Sequence, residues 1–156
     1  MNMKISAKDF ENGSTIPVEY TCDGENISPE LFWSGVPTGT KSIVLIMDDP
    51  DAPMGTFVHM VIFNIPANVN FLPKGMPNDD KYFKNESRYG MNDFGRYGYG
   101  GPCPPSGTHR YYFRLYALDT MLDLDSGTKR SKLDNYMIGH VLAGSELMGL
   151  YKRRTI

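Results

Sequence analysis

The sequence predicts a mainly β domain, and three observations carry that prediction. Its 16 glycines and 11 prolines are spread between short apolar runs, the punctuation expected of strands separated by turns. Residues 111–118 alternate between two faces with a period of two. Helical periodicity is confined to the C-terminal end, where one or two short helices are expected to pack against a β-sandwich.

Taken in order, Ser42–Met47 (SIVLIM) is a continuous apolar run, the length of a strand covered on both faces. Phe57–Ile65 (FVHMVIFNI) is rich in β-branched and aromatic residues and stops at Pro66, as a strand should. From Pro73 to Tyr97 aliphatic residues are scarce, and the stretch reads as a long functional or covering loop. Tyr111–Leu118 (YYFRLYAL) places Tyr111, Phe113, Leu115 and Ala117 on one face, with Tyr112, Arg114 and Tyr116 on the other. From Ser131 to Tyr151 the period changes. Leu133, Tyr136 and Met137 recur at three and four, and Val141, Gly144, Ser145 and Met148 do likewise. Ser131 with Asp134 resembles a capping box, and Gly139 is expected to bend or divide the segment.

The chain has 156 residues, a length that one hydrophobic core commonly serves, so a single domain over 1–156 is expected. Its net charge of −2 gives no basic excess to draw a polyanion, which argues against nucleic acid as a partner. No apolar run approaches the roughly 20 residues that span a bilayer. The N-terminus lacks an apolar signal core, so a cytosolic location is the default. Cys22 and Cys103 are too few for a disulfide scaffold and lack metal-finger spacing. Two free thiols is the reading favoured by composition. A bridge stays open because both lie in Gly/Pro-marked loops.

The chemistry concentrates in two stretches. In Asp49-Pro50-Asp51-Ala52-Pro53 the prolines stiffen the chain, so the carboxylates can orient a histidine or serve as local turn acceptors. His59 lies within a strand, either as a satisfied core residue or as a functional one. The second stretch runs GRYGYGGPCPPSGTHRYYF. Gly98, Gly100 and Gly101 would let the backbone approach a ligand and turn N–H groups toward an anion. Pro102, Pro104 and Pro105 stiffen the loop before His109, and Arg110 is expected to pair with an aspartate rather than touch a ligand.

With DPDAP…H followed by GYGGPCPP…HRYYF, the chain resembles the phosphatidylethanolamine-binding protein family, also called the Raf kinase inhibitor-like family, in its compact bacterial and archaeal branch. YTCDGENISP, LFWSGVP and HVLAGSELMGLYK look like further signatures of that branch, so the likeness spans the whole chain. The resemblance implies an antiparallel β-sandwich with Greek-key connections and a small surface pocket. Asp49, His59, Gly101 and His109 match the pocket residues, while Asp51, Pro53, Pro102 and Tyr111 match positions that shape or line it. Phe57 stands where animal relatives carry a pocket-edge tryptophan, and by the same resemblance Asp23 is expected as a further wall.

The implied function is a non-enzymatic module without cofactor or metal, holding phosphate, acetate or a phosphorylated headgroup. It would also modulate a protein partner such as a kinase or serine protease, and analogy with the branch suggests a homodimer. The rival is a metal-assisted hydrolase built on Asp49, Asp51, His59 and His109, although no HExxH pair or nucleophile elbow accompanies them.

Overall fold

The computed structural model describes residues 2–80 and 87–153. Among the described residues eight strands and one α-helix, besides a 3-10 turn at Val18–Tyr20, follow in the order β1 (Lys4–Ala7), β2 (Leu31–Ser34), β3 (Ser42–Asp49), β4 (Phe57–Pro66), β5 (Phe71–Leu72), β6 (Arg88–Tyr89), β7 (His109–Leu118), α1 (Arg130–Met137) and β8 (Val141–Tyr151). They form two antiparallel sheets, a small one ordered β1-β2-β5 and a large one ordered β6-β4-β3-β7-β8. β3 and β7 pair at the centre of the large sheet although they are far apart in sequence, the non-local pairing that Greek-key connections produce.

The unbroken apolar run of β3 has a simple cause: every residue from Ser42 to Asp49 is buried. Ile43, Leu45 and Met47 face the small sheet, where Leu31, Trp33 and Leu72 meet Met60, Ile62, Phe113 and Leu115. Val44 and Ile46 face the other way, against Leu133 and Met137 of α1 and Leu122 and Leu124 of the preceding loop. β7 behaves as its alternation predicts. Tyr111, Phe113, Leu115 and Ala117 are buried, whereas Tyr112, Arg114 and Tyr116 are only partly covered.

Two expectations are corrected at the C-terminal end. Of the one or two helices expected, one, α1, is present among the described residues, and the helical reading of Val141–Tyr151 gives way to a strand paired with β7 along its length. Gly139, at φ 82°, ends the helical segment, and Gly144 and Gly149 weaken what remains of the helical preference. The edge of β7 offers a row of backbone partners that outweighs that weak local signal. The capping box is also absent. α1 starts at Arg130 with Lys129 as an N-cap that makes no side-chain bond, and Asp134 lies 3.4 Å from Arg130 Nε. The 73–97 stretch is irregular apart from β6 and a bridge between Met91 and Tyr97; its residues 81–86 lie outside the described residues.

An ion cluster ties the large sheet to the helix. The carboxylate of Asp48 is 1% exposed and accepts from Arg114 Nε and Nη2 at 2.9 and 3.2 Å. Arg130 Nη1 also donates to it, and Arg114 Nη1 reaches Glu146 of β8 at 2.7 Å. One buried carboxylate on β3 thus fixes β7, α1 and, through Arg114, β8. Removing it would leave two partly buried guanidinium groups with only the exposed Glu146 and Asp134 as counter-charges. Asp48→Ala is therefore expected to lose about 3–5 kcal/mol of stability, measured by urea unfolding.

Candidate functional site

Asp49, the neighbour of Asp48, turns to the opposite face of the sheet. A register shift between Met47 and Asp48 passes over His59 of β4, an irregularity of the bulge kind that often re-aims side chains. Asp49 is buried and both its oxygens are engaged: Oδ1 accepts the N–H of Asp51 at 2.8 Å, and Oδ2 accepts Nδ1–H of His109 at 2.6 Å. The stiff Asp-Pro-Asp turn therefore serves in both roles open to it, local turn acceptor and orienter of a histidine. Asp51 accepts from Arg110 through the backbone N–H and through the guanidinium at 2.9 and 2.7 Å. That paired guanidinium, ahead of the partial burial that opposes it, holds the Asp51 carboxyl down at about 2.

His59 enters from β4. Its Nδ1 lies 2.6 Å from the carbonyl oxygen of Gly100, which can only accept, so Nδ1 carries the hydrogen. In the neutral ring Nε2 is then a bare lone pair, and it meets no protein partner among the described residues. Burial pushes the His59 pKa below its usual value, against the raising effects of the Gly100 carbonyl and the Asp49 charge. The ring is boxed by aromatics, edge-on to Phe57, Phe94 and Tyr111 at centroid distances of 5.0, 5.4 and 5.3 Å. Tyr111 also stacks with His109, and burial, followed by the Asp49 charge, raises its phenol well above the ordinary range.

These residues surround a cavity of about 210 Å3. Of the residues expected in the site, Asp49, Pro53, Phe57 and His59 line it. His109 and Tyr111 stand behind them, on Asp49 and against the His59 ring. Gly101 and Pro102 do not line the cavity. They brace the loop, because Gly101 N–H donates to Asn26 Oδ1 at 2.8 Å and the Pro102 carbonyl accepts from Cys22 N–H at 3.1 Å. Gly100 N–H goes to the His59 carbonyl. The backbone groups expected to cradle an anion at Gly100 and Gly101 are thus already used. Gly101 is required for another reason: a Cβ there would sit 2.3 Å from the Tyr20 carbonyl oxygen. Asp23 lies apart from the cavity lining, bonded to Tyr151 Oη at 2.6 Å and paired with Arg153.

Sequence reasoning missed Phe94, which comes from the long middle stretch and lines the cavity, with Arg96 over its ring. A lone phenylalanine between Asp93 and Gly95 in a polar loop was the available signal. Ala52, Cys103, Pro104 and Pro105 complete the lining. The free-thiol reading is corrected: Cys22 and Cys103 form a disulfide with Cα atoms 5.4 Å apart. A larger hollow of about 480 Å3 lies on the other side of the sheet over Asp48, Arg114 and Arg130, which pair among themselves. Among the described residues no group of three or more His, Cys, Asp or Glu side chains gathers to hold a metal.

Together these features define a β-sandwich domain with one small, largely apolar cavity floored by a carboxylate–imidazole pair and a second imidazole. The chain belongs to the phosphatidylethanolamine-binding protein family, whose model matches residues 6–152. It is 53% identical to a UPF0098 protein of Methanothermobacter thermautotrophicus, over 98% of this chain and 99% of that one. A UPF0098 protein of Aquifex aeolicus is 48% identical over 97% of this chain and 89% of its own length. Among solved structures, the phosphatidylethanolamine-binding protein homolog CT736 of Chlamydia trachomatis superposes with a TM-score of 0.91 at 39% identity, covering 98% of this chain and 99% of that chain. Escherichia coli YbcL, described as a member of the mammalian PEBP family, gives 0.91 at 32% identity over 99% and 100%. No helix among the described residues is long and apolar enough to cross a membrane.

Three measurements follow. Gly101→Ala should lower stability by about 1–3 kcal/mol in denaturant unfolding, because backbone rather than a flexible side chain occupies the space. The folded state disfavours the His59 cation, so its stability is complete above the ordinary histidine pKa of 6.5 and declines as pH falls below it. Histidine 15N NMR should show neutral His59 as the Nδ1–H tautomer, and His59→Gln should flatten that acid-side decline.

Proposed function

We infer that the cavity is a binding site for a small oxyacid carried on an apolar stem, with phosphate, acetate and phosphorylated headgroups as its simplest forms. The observation that carries this reading is the His59–Gly100 contact, which fixes the tautomer and leaves Nε2 without a protein partner among the described residues, in a largely apolar chamber. An acid O–H can donate to that nitrogen, or the proton can pass to it and leave an ion pair. In either case the ligand brings the proton that burial makes unfavourable on His59 alone. Asp49, whose two oxygens already accept from Asp51 and His109, holds the site in shape, and as an acceptor it can meet a ligand only through a donor the ligand brings. Phe57, Phe94, Pro104 and Pro105 would cover the stem.

Nothing in this arrangement supplies an activated nucleophile, and the reading is of a non-enzymatic module. Its occupied or empty cavity would present a different surface to a protein partner such as a kinase or a serine protease. The sequence favours a cytosolic setting, in which that surface would meet a reducing medium.

Titration with inorganic phosphate and O-phosphorylethanolamine, followed by histidine NMR, tests the reading. Saturable shifts of both buried histidines are expected, with affinity on the order of millimolar, corresponding to about 4 kcal/mol. Affinity should rise as pH is lowered from about 8 to about 6, because binding takes up a proton. His59→Ala should abolish saturation. An affinity that is independent of pH, or unchanged in His59→Ala, would sink the idea.

A further inference from the structure

The wall that closes the histidine cavity is held to the fold by very little. Among the described residues, Cys103–Thr108 makes no hydrogen bond to any other part of the chain. Pro104 and Pro105 have no N–H to give. Only Pro104 of the six is buried. On the upstream side the chain is fixed at Gly101 and Pro102 by Asn26 and Cys22, and on the downstream side it rejoins β7 at His109. Between those points the Cys22–Cys103 disulfide is the one covalent hold. Three residues of this segment, Cys103, Pro104 and Pro105, line the cavity. Cys22, by contrast, sits in a turn secured by Thr21 N–H and Oγ1 on the Val18 carbonyl and by Gly24 N–H on that of Thr21.

We propose that the Cys22–Cys103 disulfide is a redox latch on this cavity: oxidised, it holds the 103–108 wall against the chamber, and reduced, it frees the wall and weakens ligand binding. The chemistry is ordinary exchange with a dithiol reductant. A thiolate of the reductant attacks the sulfur of exposed Cys103, and Cys22, half-buried, leaves as a thiolate and takes up a proton. The second thiol of the reductant then displaces Cys103, which is protonated in turn. Two electrons and two protons pass to the protein, and the reductant departs as a cyclic disulfide. Because Pro102 and Gly101 keep their own bonds, the change is confined to the segment beyond them. Linkage is reciprocal: if reduction weakens the ligand, the bound ligand must resist reduction by the same factor.

The latch concerns the wall itself, and only its effect on affinity rests on the oxyacid reading. The test uses the full chain as the oxidised protein, the dithiothreitol-reduced protein and the Cys22→Ser/Cys103→Ser variant. Dithiothreitol carries no acid group to compete for the cavity. Backbone 15N relaxation of Ser106, Gly107 and Thr108 reports the wall without any ligand, with Gly101 as the internal reference. Reduction and the double variant should both loosen the three wall residues and leave Gly101 unchanged. Titrated phosphate should then bind about ten-fold more weakly than to the oxidised form. Unchanged relaxation overturns the proposal, as does equal phosphate affinity with a loosened wall. Global loss of spectral dispersion on reduction also overturns it, since the bridge would then stabilise the whole fold rather than latch one segment. If the wall loosens but the oxidised protein binds no phosphate, the latch stands and the oxyacid reading fails.

Discussion

Two consecutive carboxylates at the buried end of β3 organise this molecule. Asp48 and Asp49 are each nearly inaccessible, and the alternation of a strand sends them to opposite faces of the large sheet. A buried carboxylate persists as an anion only where donors replace the water it has lost. The fold supplies a different set on each side. Asp48 takes two guanidinium groups, and so secures α1 and the β7–β8 edge. Asp49 takes an imidazole and a backbone N–H, and so secures the start of β7 against the Asp-Pro-Asp turn. The first solution is structural. The second leaves a titratable ring beside a chamber, and the site grows from that difference.

How the rest of the chamber follows is a matter of which groups are already engaged. Arg110 is the guanidinium nearest in sequence to His109, and it is committed to Asp51 in a two-oxygen contact. Arg96 lies over the Phe94 ring. The Gly100 and Gly101 amides bond within the protein. Phosphate sites built on helix N-termini or glycine nests present fixed positive potential to the ligand. Among the described residues no such potential lines the cavity, and a proton on His59 is the route to positive charge there.

Much of this was legible in the sequence, and what was not has identifiable causes. The central strands β3, β4 and β7 announced themselves through burial on both faces or through clean alternation. Stiff proline geometry left open whether Asp49 would orient a histidine or accept within its turn, and it does both; the Arg110–aspartate pairing was expected from charge complementarity. β8 did not announce itself, because three- and four-residue spacing in a short, glycine-bearing segment cannot be told from alternation until the edge of β7 is known to need a partner. Phe94 was hidden for a related reason: its position depends on a loop path that carries no periodicity. The glycine-rich loop misled in a more instructive way. Glycine signals close approach of something to the backbone, and at Gly101 that something is the Tyr20–Asn26 turn of the same chain.

That reassignment alters what the proline–glycine loop is for. If its amides cradled a ligand, the loop would be the recognition element and its rigidity would serve binding directly. With those amides turned inward, the proposed recognition would fall to His59 and to the apolar walls, and the loop would hold one wall in place. Its residues suit that task incompletely: Gly101 and Pro102 are pinned, while the stretch beyond them has few means of attachment other than sulfur. The same sequence feature thus divides into a fixed half that sets the His59 tautomer through Gly100 and a tethered half that covers the chamber. On the proposed reading, binding chemistry would stay constant while access to it varies, because the two properties would reside in different residues.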